Sequence, residues 1–281
     1  LDRSSAASDV YKRQMLDGVD CAVMVHPFSY DLVSHVWVGR RTLTATFTGV
    51  PAHASMQPYM GRNALDAATL AYQACGLLRQ QMPPSDRLHA VLSDGGARAS
   101  IIPETATLQM YVRSLYTETL MDLSQRVEDI LKGAALMTGT TVDAQWDEHP
   151  MSLPVRNNAT LARRWGATQA SRGRDVLPAG TLPDSQAAST DFGNVSHLVP
   201  GIHPLVKIAP EGTALHTTDF AAAAISDQAF EGAFDAAVGL AQTIADILND
   251  PQLLADAQEE FRLAGGAISV EELLARAADQ R

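Results

Sequence analysis

The chain has 281 residues, of which 46% are hydrophobic, with a formal net charge of −11 and only two cysteines. That length suffices for two domains with sizeable cores, and the acidic balance without any lysine- or arginine-rich run excludes a typical nucleic-acid binder. No apolar run approaches the roughly 18 residues of a membrane span, and Cys21 with Cys75 cannot build a disulfide framework or a cysteine-rich zinc site, so no membrane partner is expected and a reducing cytoplasm fits.

Residues 1–14, LDRSSAASDVYKRQ, are small and polar and carry no period. They are read as a non-native leader, with the natural protein expected to extend upstream of Met15. From Met15 a coherent pattern begins. Cys21 to Val25 is a short apolar run followed by His26-Pro27, which suits a buried strand of a parallel sheet. His26 then falls at the strand's C-terminal end, where open α/β sheets place ligands. A capped core histidine fits this position equally well.

From Arg41 the pattern changes. Leu43, Ala45 and Phe47 alternate with threonines, as in a half-buried strand. A helix follows from about Arg62 to Met82, with Ala64, Ala67, Ala71, Ala74 and Leu78 on one face, and Pro83-Pro84 stops it. Alternation then marks strands at Leu88–Leu92 and Ala106–Val112. A second helix spans about Glu118 to Met137, and a fourth strand covers Val142–Trp146. The order β-α-β-β-α-β is the ferredoxin-like unit, which predicts four antiparallel strands with both helices on one face. Period-two alternation puts Arg113 on the opposite face, free to meet a ligand or partner.

After Pro150 a helix is expected from about Asn158 to Ser171. Ser189 to Phe220 then gathers Asp191, His197, His203 and His216 among glycines and prolines, and reads as loop, buried strand at Pro204–Ile208, and loop again. His216 stands just before a helix starting near Thr218, a place for a metal ligand, although an isolated histidine there more often merely hydrogen-bonds the helix start. A long helix follows with Phe230, Phe234, Val238, Ala241, Ala245 and Leu248 on one face. The expected layout is therefore one α/β domain formed by residues 15–40 and 150–281, interrupted by a domain at 41–149. No histidine begins His-x-Asp and no His-Glu-x-x-His occurs, so the residues themselves supply half a metal site.

The motifs VHP at Val25–Pro27, GVPAHASMQPYMGRNALDA at Gly49–Ala67 and SDGGARASIIPETATLQMYVRS at Ser93–Ser114 form a specific set with STDFGNVSHLVPGIHP at Ser189–Pro204 and HTTDF at His216–Phe220. With them the chain resembles the metallopeptidase family of aminoacylases, carboxypeptidase G and peptidase V. It is most similar to the amidohydrolase branch holding Xaa-Arg and β-alanyl-lysine dipeptidases and p-aminobenzoyl-glutamate hydrolase. The resemblance implies a catalytic α/β domain carrying an inserted dimerisation domain, and hydrolysis of an amide bond next to a free carboxylate by a cytoplasmic homodimer. It implies two divalent metal ions, zinc first with manganese or cobalt as alternatives. His26 and His216 match metal ligands, His53 matches the histidine that reaches the partner subunit's site to stabilise the oxyanion, and Arg113 matches the arginine gripping the substrate carboxylate. Ser100 stands where the family has a substrate-anchoring asparagine. The glutamate base and bridging carboxylate of the family have no counterpart here, so this stretch alone is expected to be inactive. The alternative is a non-catalytic dimerising or small-molecule-binding module derived from the same fold.

Overall fold

Alternating side chains in Gly39–Thr48 (β3) bury Leu43, Ala45 and Phe47 on one side and leave Arg40 and the threonines on the other. This pattern needs a sheet with one covered face, and a computed structural model of the chain, describing residues 16–279, supplies it. The described chain divides into two compact units, residues 38–152 and residues 16–37 with 153–279. The reading of residues 1–14 as a leader lies outside the described residues.

In the 38–152 unit, β3 pairs antiparallel with Thr105–Ser114 (β7) and with Thr141–Trp146 (β8), and β7 pairs with Arg87–Asp94 (β5). The sheet order is β5-β7-β3-β8. Two helices, Ala64–Leu78 (α1) and Thr117–Thr138 (α2), pack on the face that carries Leu43, Leu108 and Met110. This is the expected ferredoxin-like arrangement. The α1 face is built from Ala64, Ala67, Ala68, Ala71 and Cys75, whose small size lets the helix axis approach closely. Asn63 caps its start, the side-chain oxygen accepting from the Leu65 N–H at 2.9 Å, a bond that stabilises a helix by about 1 kcal/mol. Gly139 ends α2 in the left-handed region at φ 66°, letting the Thr140 N–H reach the Ala135 carbonyl. A two-strand extension, Ala52–His53 (β4) with Ile101–Ile102 (β6), continues beyond the sheet.

The other unit contains short parallel pairs: Ala22–Val23 (β1) with Gly201–Ile202 (β9), and His26–Phe28 (β2) with Leu205–Lys207 (β10). The strand expected over Cys21–Val25 is therefore confined to Ala22–Val23, and His26, instead of lying at its end, opens a second one. The break faces His203-Pro204, where proline has no N–H to donate to a ladder. Pairing resumes when the His26 N–H reaches the Pro204 carbonyl at 3.0 Å. Helices Ala159–Ser171 (α3), Asp227–Asn249 (α6) and Pro251–Leu263 (α7) enclose a core centred on Trp165, Leu161, Ile202 and Val206. Shorter helices occupy Phe192–Ser196 (α4), Thr218–Ala223 (α5) and Val270–Asp279 (α8).

One sequence expectation inverts. The apolar face of α6 running from Phe230 through Phe234 to Leu248 is the exposed one, and the helix buries Ala229, Gly232, Ala236, Gly239 and Thr243 instead. Close approach explains the choice: a Cβ at Gly232 would stand 2.7 Å from the Lys207 carbonyl oxygen, and one at Gly239 would meet Trp165 at 3.0 Å. At those two points only small residues of α6 fit, and Ile247 adds a larger buried side chain near the helix end.

Candidate active site

His53 lies on β4, exposed, with Ile101 as its cross-strand partner. Its Nδ1 accepts hydrogen bonds from the backbone N–H groups of Ser55 (3.3 Å) and Met56 (3.2 Å), and Ser55 Oγ lies 3.2 Å away. Backbone N–H groups are obligatory donors, so Nδ1 is the lone-pair nitrogen and Nε2 carries the proton. The turn Ala54–Gln57, closed by the Gln57 N–H on the His53 carbonyl, thus fixes a tautomer whose free edge is a hydrogen-bond donor. A donor held in advance is what a developing oxyanion requires.

Ser100 is brought next to this histidine, its carbonyl accepting the Ala54 N–H at 3.0 Å. Arg113 is not. It pairs with Arg40 at one end of β3, whereas Thr48 and Thr105 pair at the other end, eight residues of β7 away, or about 27 Å along the strand. The pairing continues past that far end through Gly49 N–H to the Glu104 carbonyl and then β4–β6, so His53 lies farther still. His53 and Arg113 of one copy therefore stand at opposite ends of the unit.

Arg113 lies on the sheet face away from the helices, half-buried, with its guanidinium carbon 4.9 Å from the Tyr111 ring. Burial first, and then the neighbouring Arg40 charge, push its pKa below the usual arginine value.

His26 occupies the start of β2. Its Nδ1 sits 2.8 Å from the Pro27 carbonyl oxygen, which makes Nδ1 the donor and leaves Nε2 with the lone pair. A histidine that ligates a metal commonly fixes its other ring nitrogen on a backbone carbonyl in this way, so His26 fits that role. His203 packs beside it at 5.9 Å between ring centroids and stacks on Trp37 at 4.5 Å. Its side chain is fully buried and neither ring nitrogen has a hydrogen-bond partner. Burial, and next the His26 ring, lower its pKa to about 3. His216 is exposed, with φ 60°, immediately before Thr217, which caps α5 by accepting the Phe220 N–H at 3.2 Å. Among the described residues no group of three or more histidine, cysteine, aspartate or glutamate side chains converges to hold a metal ion. Asp191 is exposed, and its Oδ1 lies 3.5 Å from Thr190 Oγ1.

Two features of the site are absent from the sequence expectations. The His53 tautomer depends on a turn whose geometry only the fold reveals. Arg40 stands one residue before the strand start expected at Arg41; the same alternation extended backward gives its face, and the register of the sheet sets it opposite Arg113.

Comparison with known proteins gives these geometries a family. Residues 38–137 match the family model of the peptidase dimerisation domain. Most of the chain is similar to curated hydrolases. It is 34% identical over 254 residues to the Xaa-Arg dipeptidase of Mus musculus, a match covering 90% of this chain and 58% of that protein. It is 24% identical over 310 residues to one of the two chains of the p-aminobenzoyl-glutamate hydrolase of Escherichia coli K12, covering 92% and 64%. A solved structure assigned as an aminohydrolase, from methicillin-resistant Staphylococcus aureus, shares the fold with a TM-score of 0.65 at 19% identity, covering 83% of this chain and 61% of that one. The chain thus spans about three-fifths of the length of these curated relatives, 58% and 64%. No helix among the described residues is long and apolar enough to cross a membrane.

Proposed function

We propose that the protein is a metal-dependent amidohydrolase or dipeptidase that cleaves an amide bond beside an amino acid with a free carboxylate, in a dipeptide, an N-acyl or a p-aminobenzoyl amino acid. The observation that carries this reading is the His53 imidazole, locked as an Nε2–H donor by two backbone N–H groups on Nδ1. Homology to a dipeptidase and to a p-aminobenzoyl-glutamate hydrolase supports the same reaction class.

In this reading residues 15–40 and 150–281 belong to the catalytic domain and 41–149 to the dimerisation domain. His26, through Nε2, and His216 serve as ligands of a divalent metal centre, zinc first, with manganese or cobalt as alternatives. Such a centre supplies an activated water and a polarised carbonyl when bound. Arg113 pairs with the substrate carboxylate, a task suited to the planar guanidinium fork. His53 donates Nε2–H to the oxyanion, and Ser100, one ladder step away, positions the substrate beside it. The protein acts in the cytoplasm as a homodimer. The separation of His53 from Arg113 supports this state, since one substrate molecule meets both only if they come from different copies.

The test uses protein expressed from its full natural coding sequence. His53→Ala and Arg113→Ala should each lower dipeptide turnover by about a hundredfold or more with the metal content unchanged. Mixing the two variants under conditions that exchange protomers should restore activity, because one site of each mixed dimer then draws intact His53 and Arg113 from different chains. Unchanged turnover in the His53 variant, or a mixture as inactive as its components, refutes the reading.

A further inference from the structure

Arg113 is the middle of three arginines abreast. Register sets Arg40 of β3 against it on one side and Arg87 of β5 on the other. Cross-strand partners share a face with their Cβ atoms about 5 Å apart, and like charges in that position repel. Arg87 relieves its share by turning to the carbonyls of Pro84 and Asp86. Arg40 and Arg113 have no such outlet: among the described residues, no carboxylate forms an ion pair with either. Asp147 is engaged by Arg41, and Asp86, beside Arg87 in the chain, by Ser114.

Arg40 carries a second mark of an unfilled role. Its Nε is buried with no hydrogen-bond partner. Its backbone is held on both sides, by β7 and by a reciprocal pair with Ser152 (2.7 and 3.0 Å), so the side chain is presented from a fixed point. A buried guanidinium N–H without an acceptor is costly, and since Arg40 as a whole is only half-buried, the rest of its guanidinium is left to meet an anion.

We propose that Arg40 is a second anion-binding residue beside Arg113, and that together they select a dicarboxylic residue, aspartyl or glutamyl, on the carboxylate side of the scissile bond. This rests on reading Arg113 as the arginine of the substrate carboxylate. A single carboxylate offsets one of the two charges. Two carboxylates on a short chain match two guanidinium groups on strands about 4.8 Å apart. A basic residue would bring a third cation to the row.

Binding, which needs no turnover, tests this on the full chain by calorimetric titration at low salt. N-acetyl-L-glutamate should bind about tenfold more tightly than N-acetyl-L-alanine, the gain of one charge-assisted hydrogen-bonding group. Arg40→Gln should abolish that preference while leaving N-acetyl-L-alanine within about twofold of its original affinity, and Arg40→Lys, which keeps the charge, should recover part of it. Melting curves of both variants establish that they are folded. Equal affinity of the unaltered chain for the two ligands, an undiminished preference in Arg40→Gln, or inorganic phosphate binding as tightly as N-acetyl-L-glutamate overturns the proposal. Arg113→Gln separates the two levels: it should weaken both ligands, and if it weakens neither, the underlying assignment of Arg113 fails instead.

Discussion

His197 offers a pH-dependent stability that can be calculated and then removed by one substitution. The ring is buried, its Nε2–H donates to the Pro154 carbonyl at 2.9 Å, and Nδ1 has no partner. Burial first, and then the charge of Arg156, hold its pKa down at about 4 against an ordinary 6.5. The sign follows from which state takes the proton. Above about pH 6.5 the histidine is neutral in both folded and unfolded chains, and its contribution is present in full. Between about pH 6.5 and 4 the unfolded chain binds a proton that the folded chain refuses, so stability falls as pH falls. Below about pH 4 both states bind it and the loss levels off. An interval of that width corresponds to about 3 kcal/mol. His197→Gln keeps an N–H for the Pro154 carbonyl and cannot be protonated. Urea unfolding at about pH 7 and about pH 4 measures the difference. Trp146 is replaced by phenylalanine in both proteins, so that Trp37 and Trp165 report the unit that contains His197. The unaltered histidine should cost about 3 kcal/mol more than glutamine over that interval. Identical pH dependence in the two proteins refutes the argument.

Two further substitutions probe the fold at defined points. Asp147 accepts Arg41 Nε at 2.9 Å and Nη2 at 2.7 Å while Trp146 covers the guanidinium at 4.4 Å, so Asp147→Ala strands a buried cation. It should destabilise the 38–152 unit by about 3 kcal/mol in urea, and a loss well under about 1 kcal/mol would show that the pair is dispensable. Gly193 and Gly133 should respond in opposite directions to alanine. A Cβ at Gly193 would stand 1.8 Å from the Leu153 carbonyl oxygen, a backbone atom that cannot swing aside, whereas one at Gly133 inside α2 meets nothing within 4 Å. Thermal melts should show Gly193→Ala destabilised by at least about 2 kcal/mol and Gly133→Ala stabilised by about 0.5–1 kcal/mol. A reversed order would refute the packing described for α4.

The 38–152 unit is legible in the sequence because each long strand buries one face, and that writes a period of two into Leu43-Ala45-Phe47 and Leu108-Met110-Val112. The companion unit is harder for the same physical reason in reverse. Its strands are two or three residues long, too short to carry a period, and the interruption at Pro204 reflects a missing N–H, not a change in hydrophobicity. The five-residue α4 likewise spans fewer than two turns, too short to show a helical period. On α6 the pattern is strong but points the wrong way, because closeness of approach at Gly232 and Gly239 outranks side-chain hydrophobicity. For the site, the identities of His53, Arg113, His26 and His216 come through resemblance. Which nitrogen of His26 and His53 carries a proton is settled by neighbouring backbone groups and has no trace in the sequence.

The outward side of α6 bears on how this protein behaves in a test tube. Phe230, Phe234 and Leu248 are 77%, 56% and 78% exposed and follow one another along a single ribbon of the helix. Apolar ribbons of that kind draw molecules together whatever their biological purpose. Molecular mass measured by gel filtration or scattering will therefore include association through this helix as well as the association proposed for the 38–152 unit. Replacing Phe230 and Phe234 with serine or glutamate silences the helix, and the size that persists is the one that tests the proposed homodimer.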